Sequence, residues 1–158
     1  MKRPLYIFDL DGTLALIDHR IGILQQEHAT AQEKWAKFYD ACDKDSPNAP
    51  VIETMELLRI AGAEIWILSG RGADVKEKTI EWLVKHTTFT RIELLHGALT
   101  MRLEGDHRPD HELKLQWLDR MLVEDRERLV SVFDDRASVV SMWRVAGVTC
   151  FQVADGNF

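Results

Sequence analysis

The sequence predicts an α/β fold, a doubly wound, mostly parallel five-stranded sheet with helices on both faces, and three observations predict it. Short β-rich runs alternate with amphipathic stretches of helical length. Each β-rich run is apolar without strict alternation, as strands buried on both faces are. No internal repeat, low-complexity tract or linker interrupts the series, so the strands belong to one sheet joined by right-handed crossovers.

Taken in order, the strands are expected at LYIFDL (5–10), AEIWILS (63–69), RIELLH (91–96), LVSVFD (129–134) and VTCFQVA (148–154). Between them, Pro50 opens VIETMELLRIAG as a helix with proline in its first turn and Gly62 as its stop, and Pro109 opens PDHELKLQWLDRML in the same way. ADVKEKTIEWLVKH and RASVVSMWRVAG supply two more helices. Residues 15–49 exceed a minimal crossover and hold a helical insert at about 22–49, in which Leu24, Ala31, Trp35, Phe38, Tyr39 and Cys42 can share one face. That stripe either packs on the domain or forms a small cap over the end of the first strand.

A chain of 158 residues, 46% hydrophobic, has the core of one compact domain, here expected to span 1–158. The formal net charge of −6 argues against a broad basic surface for gripping nucleic acid and leaves room only for a small basic pocket. Cys42 and Cys150 have no CxxC or His partner in spacing and read as buried thiols. The five tryptophans, Trp35, Trp66, Trp82, Trp117 and Trp143, read as core or cap residues. Asp9 interrupts the first apolar run, so no signal-peptide core forms, and no run is long enough to span a membrane. A cytoplasmic location is expected.

In an open α/β sheet, ligands bind beyond the carboxyl ends of the strands. There the sequence places Asp9-Leu10-Asp11-Gly12-Thr13, Ser69-Gly70-Arg71 and Asp134-Asp135-Arg136. Any one of these is an ordinary turn or helix cap. Together they gather four carboxylates at one sheet edge, where they repel unless a hard cation held by oxygens, most simply Mg²⁺, neutralises them.

The stretches DLDGT, LSGR, Lys114 and FDDR resemble the four motifs of the haloacid dehalogenase-like phosphohydrolases. Within that superfamily, Arg20, GDHRPDHELK (105–114), FDDRASVVSMWRVAG (133–147) and the terminal FQVADGNF are most similar to the 3′-phosphatase domain of phage polynucleotide kinase-phosphatases. The resemblance runs from Pro4 to the last residue and is weakest at Gly22–Ala49. No GxxxxGK[ST] phosphate loop occurs, so no kinase domain is expected in this chain.

The resemblance implies a Mg²⁺-dependent phosphomonoesterase acting on 3′-phosphorylated DNA or RNA ends. Asp9 is then the nucleophile that forms an aspartyl-phosphate, and Asp11 the general acid and base. Ser69 and Lys114 hold the phosphate oxygens. Asp9, the Asp11 main-chain carbonyl and the Asp134/Asp135 pair hold the metal, with the direct ligand of that pair left open. Arg20, Arg71, Arg108 and Arg136 match arginine positions of the pattern, with Arg20 and Arg71 favoured at the substrate and Asp110 orienting them. His19 and His107 adjoin these groups without an assignable role. A phosphatase of free nucleotide monophosphates is the alternative, and a non-catalytic nucleic-acid-binding or assembly subunit a third reading that the retained acidic and cationic groups disfavour.

Overall fold

A computed structural model describes residues 2–156 of the chain. The elements run β1 (Leu5–Phe8), β2 (Ala15–Leu16), α1 (Asp18–Gln25), α2 (Ala31–Asp40), β3 (Ser46–Pro47), α3 (Ala49–Ile60), β4 (Glu64–Gly72) and α4 (Lys76–His86). They continue with α5 (Arg91–Glu93), β5 (Leu99–Arg102), α6 (Asp110–Arg120), α7 (Val123–Arg128), β6 (Leu129–Arg136), α8 (Ala137–Val145) and β7 (Cys150–Gly156). The main sheet has the order β5-β4-β1-β6-β7 with every pair parallel, while β2 and β3 form a small antiparallel pair.

Apolar packing on both faces holds this sheet. On one side Phe8, Ile65 and Ile67 meet Met55 of α3 and Ile80 and Leu83 of α4; on the other, Ile7 and Val132 meet Leu118 of α6 and Val139, Val140 and Trp143 of α8. Each such side chain contributes roughly 1.5–3 kcal/mol on burial. The register then sets the chemistry, because Phe8 lies opposite Phe133, their rings stack at 4.4 Å, and the Asp9 N–H donates to the Phe133 carbonyl at 2.9 Å. Asp9 and Asp134 therefore leave the sheet side by side.

The four expected helices form at α3, α4, α6 and α8. The strand expected at 91–96 does not. Thr90 and Glu93 make a reciprocal capping box that starts a helix at Arg91, and Leu94–Ala98 continue it as a single wide turn. Ile92 and Leu95 are 70% and 46% exposed, so the apolar run faces outward instead of filling a sheet. The edge strand starts only after Gly97, whose φ of +118° turns the chain into β5. Short apolar runs do not distinguish strand from helix by periodicity, and here the cap decides.

The insert is two helices, α1 and α2, not one. Of its expected stripe, Phe38 and Cys42 are buried, Leu24, Trp35 and Tyr39 half-buried, and Ala31 exposed. Both cysteines are free and buried. Asn157 and Phe158, the end of the terminal FQVADGNF stretch, lie outside the described residues. No helix among the described residues is long and apolar enough to cross a membrane.

Candidate active site

Three adjacent strand ends and one helix build the site. The turn after β1 carries Asp9 and Asp11, β6 carries Asp134, Asp135 and Arg136 to its end, β4 carries Ser69, Gly70 and Arg71, and α6 presents Asp110 and Lys114. One carboxylate oxygen from each of Asp9, Asp134 and Asp135 lies within 4.8 Å of the others. The buried Lys114 ammonium donates to Asp9 Oδ1 at 2.5 Å and to Asp134 Oδ2 at 2.7 Å. Gly12 and Gly156 wall in Asp135, since a Cβ on either would fall within 2.5 Å of its Oδ2. Gly12 also has a φ of +84°, which the tight turn between Asp11 and Thr13 requires.

Three buried carboxylates against one ammonium are under-neutralised. Burial pushes the Asp9 carboxyl well above the usual carboxylate range; Lys114 pulls against this, and Asp134 and Asp135 push it further up. Burial and then Asp134 raise Asp135 to about 7. Lys114 is raised despite its burial, because Asp134 and Asp9 outweigh the cost of desolvation. A converging set of carboxylate oxygens short of positive charge fits a hard divalent cation.

Asp11 has a different environment. Its Oδ1 accepts from Arg20 Nη2 at 2.6 Å and from Arg71 Nε and Nη2 at 2.9 and 2.5 Å. Burial pushes its pKa up, but Arg71 and then Arg20 outweigh that and hold it below the usual range. Arg20 and Arg71 are themselves fully buried and do not line the cleft. They stand behind Asp11, gripped on their far side by Asp45, which accepts from Arg20 Nε at 2.7 Å and Nη2 at 2.6 Å and from Arg71 Nη2 at 2.7 Å. His19 Nε2 lies 2.8 Å from Asp45 Oδ1, Trp82 donates to the Asp45 carbonyl at 2.7 Å, and the Arg20 guanidinium rests 4.2 Å from the Phe38 ring centroid.

The cleft over the three carboxylates is lined by Asp9, Asp11, Asp110, Lys114, Asp134, Asp135 and Arg136 on its charged side, and by Phe38, Tyr39 and Val139 elsewhere. Asp110 accepts from Arg136 Nη1 at 2.9 Å and pairs with Arg102. Arg102 in turn donates to the carbonyls of Gly70 at 2.9 Å and Arg108 at 2.7 Å, fixing β5 and the loop before α6. Arg108 pairs with Asp106 and donates to Gln116 at 2.9 Å, away from the cleft lining. Ser69 is fully buried and its Oγ accepts the Arg71 N–H at 3.2 Å. The Tyr39 phenol, at the cleft wall, is pushed up by burial and then by Asp110 and Asp11. Of the expected site residues, Asp9, Asp11, Asp110, Lys114, Asp134, Asp135 and Arg136 meet at the cleft; Arg20 and Arg71 back Asp11, and Ser69 and Arg108 lie outside the lining.

Asp45 and Arg102 were outside the sequence expectation. Asp45 follows Lys44 in a polar stretch with no motif, and only the return of the insert to the sheet brings it to the two arginines. Arg102 carries one signal, its place at the end of the edge strand β5, which an expected strand at 91–96 obscures.

The profile of the polynucleotide kinase PNKP phosphatase domain matches residues 3–158. A putative bifunctional polynucleotide kinase/RNA ligase of Autographa californica nuclear polyhedrosis virus is 29% identical over 140 residues, which is 86% of this chain and 17% of that protein. Among solved structures, a chain of the Pnkp1/Rnl/Hen1 complex superimposes with a TM-score of 0.71 at 29% identity, covering 100% of this chain and 48% of that one. The class C acid phosphatase of Bacillus anthracis with tungstate bound shares the fold, with a TM-score of 0.67 at 13% identity over 100% of this chain and 69% of its own. The chain thus spans less than half the length of the first two proteins. A haloacid dehalogenase-like fold, clustered strand-end carboxylates and a profile match over nearly every residue lead to one conclusion: the chain belongs to the phosphatase-domain family of polynucleotide kinase PNKP and is a phosphatase.

Proposed function

We propose that the protein is a Mg²⁺-dependent phosphomonoesterase that removes the 3′-phosphate from DNA or RNA ends through an aspartyl-phosphate on Asp9. The observation that carries this reading is the convergence of Asp9, Asp134 and Asp135 on one point with Lys114 against two of them, while Asp11, two residues from the nucleophile, is held in a separate ionic environment. Mg²⁺ held by Asp9, the Asp11 carbonyl and the Asp134/Asp135 pair would neutralise the carboxylates and polarise the phosphoryl group.

Asp9 attacks phosphorus and the P–O bond to the 3′-oxygen breaks; Asp11 gives that oxygen its proton. Asp11, now a carboxylate, takes a proton from water, which attacks the aspartyl-phosphate and releases inorganic phosphate with Asp9 restored. The two oxygens of Asp11 divide the work. Oδ1 takes the contacts from Arg20 and Arg71 and fixes the carboxyl, and Oδ2 is the oxygen suited to carry the proton. The arginines keep Asp11 ionised in the free chain, and an entering phosphate dianion raises its proton affinity when the acid is needed. Arg20 and Arg71 thus serve the substrate through Asp11, while Lys114 offers its charge to the phosphate and Arg136, tied to Asp110, borders the cleft.

The test is phosphate release from a 3′-phosphorylated oligonucleotide and from nucleoside monophosphates, with Mg²⁺ and with chelator, for the native chain and Asp9→Asn. Cation-dependent release from the 3′-end, abolished by Asp9→Asn, is expected. Turnover by an Asp9→Asn chain free of deamidation would overturn the nucleophile, and a clear preference for free nucleotides would replace the leaving group.

A further inference from the structure

The cleft has two unlike walls. A phosphate and its cation need the carboxylates and Lys114; they need nothing from Phe38 and Tyr39 of α2. An aromatic wall beside a phosphate site serves whatever is attached to the phosphate. On α2, Trp35 lies 5.8 Å from Tyr39 with the rings 24° from parallel, and meets Phe38 edge-on at 5.6 Å. The Lys34 ammonium lies 6.0 Å from the Trp35 ring centroid. Tyr39 thus lines the cleft, with Trp35 and the Lys34 cation adjoining it on the same helix.

We infer that this face of α2 is the leaving-group subsite, in which Tyr39, backed by Trp35, packs against the terminal nucleoside of the 3′-phosphorylated strand. The proposal rests on the 3′-end reading above and names what confers selectivity there. A bare sugar phosphate presents hydroxyls, which require hydrogen-bonding partners, and the α2 wall offers the Tyr39 ring and its single phenol, Phe38 being buried under Arg20. A nucleobase presents a flat π-face, and stacking on it is tolerant of base identity, as end processing requires. Lys34, beside the Trp35 ring, offers a cation to the next phosphate of a strand that passes Trp35, a phosphate that a free nucleotide lacks. The inserted segment therefore reads the substrate as well as covering the site.

The experiment compares KM and kcat for three substrates: a 3′-phosphorylated oligonucleotide, the same strand ending in an abasic 3′-phosphate, and a nucleoside 3′-monophosphate. The native enzyme is expected to show a KM for the base-bearing end about tenfold below that for the abasic end, with similar kcat. Tyr39→Leu should remove most of that difference and Tyr39→Phe, which keeps the ring, should preserve it. Lys34→Ala should weaken the oligonucleotide more than the monophosphate. Equal KM values for base-bearing and abasic ends in the native enzyme overturn the subsite while leaving the 3′-phosphatase reading standing, and this comparison needs no variant to fold. Equal losses on both ends in Tyr39→Leu also overturn it, because a general structural role would act that way. Inactivity on every 3′-phosphorylated end overturns both readings together.

Discussion

Asp11 and Asp45 share the same two guanidiniums, one on the cleft side and the other buried behind them. The arrangement is an alternating square of charge in which neither arginine nor Asp45 reaches solvent. Breaking one member of such a buried set leaves an uncompensated charge, which costs about 3–5 kcal/mol. Asp45→Asn is therefore expected to lower the thermal midpoint substantially and to reduce kcat more than it changes KM, since Asp11 loses its fixed orientation. Thermal melts with steady-state kinetics check it; unchanged stability would mean that the arginines find other partners.

Stability should depend on pH in a way that Mg²⁺ reverses. In the chelated chain Asp135 is raised to about 7, against about 3.9 for an unfolded aspartate. A raised carboxyl contributes stability that is full below the unfolded value and is lost as pH rises through the folded one. Asp9 is raised also and acts in the same direction. Asp11 is lowered, and its contribution falls away only in acid, below the range of interest. From pH 5 to 8 the metal-free chain is expected to lose thermal stability, and the increment added by Mg²⁺ to grow, because the cation binds the ionised form. A constant increment across that range would contradict the assignment of these carboxylates to the cation.

Gly156→Ala probes the wall behind Asp135. Its Cβ would lie 2.3 Å from Asp135 Oδ2 and 2.9 Å from the Asp135 carbonyl carbon, and backbone cannot swing aside as a side-chain tip can. The carboxylate must shift, and the half-saturating Mg²⁺ concentration is expected to rise about tenfold or more. Titration of activity with Mg²⁺ measures it, and an unaltered curve would place Asp135 outside the metal set.

Lys114→Met keeps much of the bulk of a 2% exposed side chain and removes its charge. Both carboxylates it bridges lose their cation, and charge developing on the phosphoryl group goes uncompensated. A loss in kcat of about 100- to 1,000-fold is expected. Near-native turnover at saturating substrate would reduce Lys114 to a structural counter-ion.

The clustered carboxylates were legible in the sequence because their spacing is local: Asp9 and Asp11, and Asp134 and Asp135, each sit at the end of an apolar run, and parallel pairing brings the two ends together. Lys114 and Asp110 followed from the family resemblance, the proline-initiated helix giving only their place on one element. Asp45 was not legible, since its role depends on contacts to Arg20 and Arg71 made only after the insert folds back. The same physics obscured the arginines, for a motif arginine looks alike whether it meets substrate or a buried carboxylate. The absence of the strand expected at 91–96 shows local cap chemistry at Thr90 and Glu93 prevailing over an apolar run that either secondary structure can use.

The first strand of the chain is the middle strand of the sheet, paired with β4 on one side and with β6 on the other. A ribosome therefore releases β1 before either neighbour and supplies β6 after β4. At about 5–20 residues per second, the interval between Phe8 and Phe133 is on the order of ten seconds. Through that interval one edge of β1 has no partner, and Asp9 lacks the neighbouring Asp134 and Asp135. The carboxylate cluster is complete only once β6 has followed, so a nascent fragment lacking β6 and β7 exposes an adhesive strand edge without the Asp134/Asp135 pair.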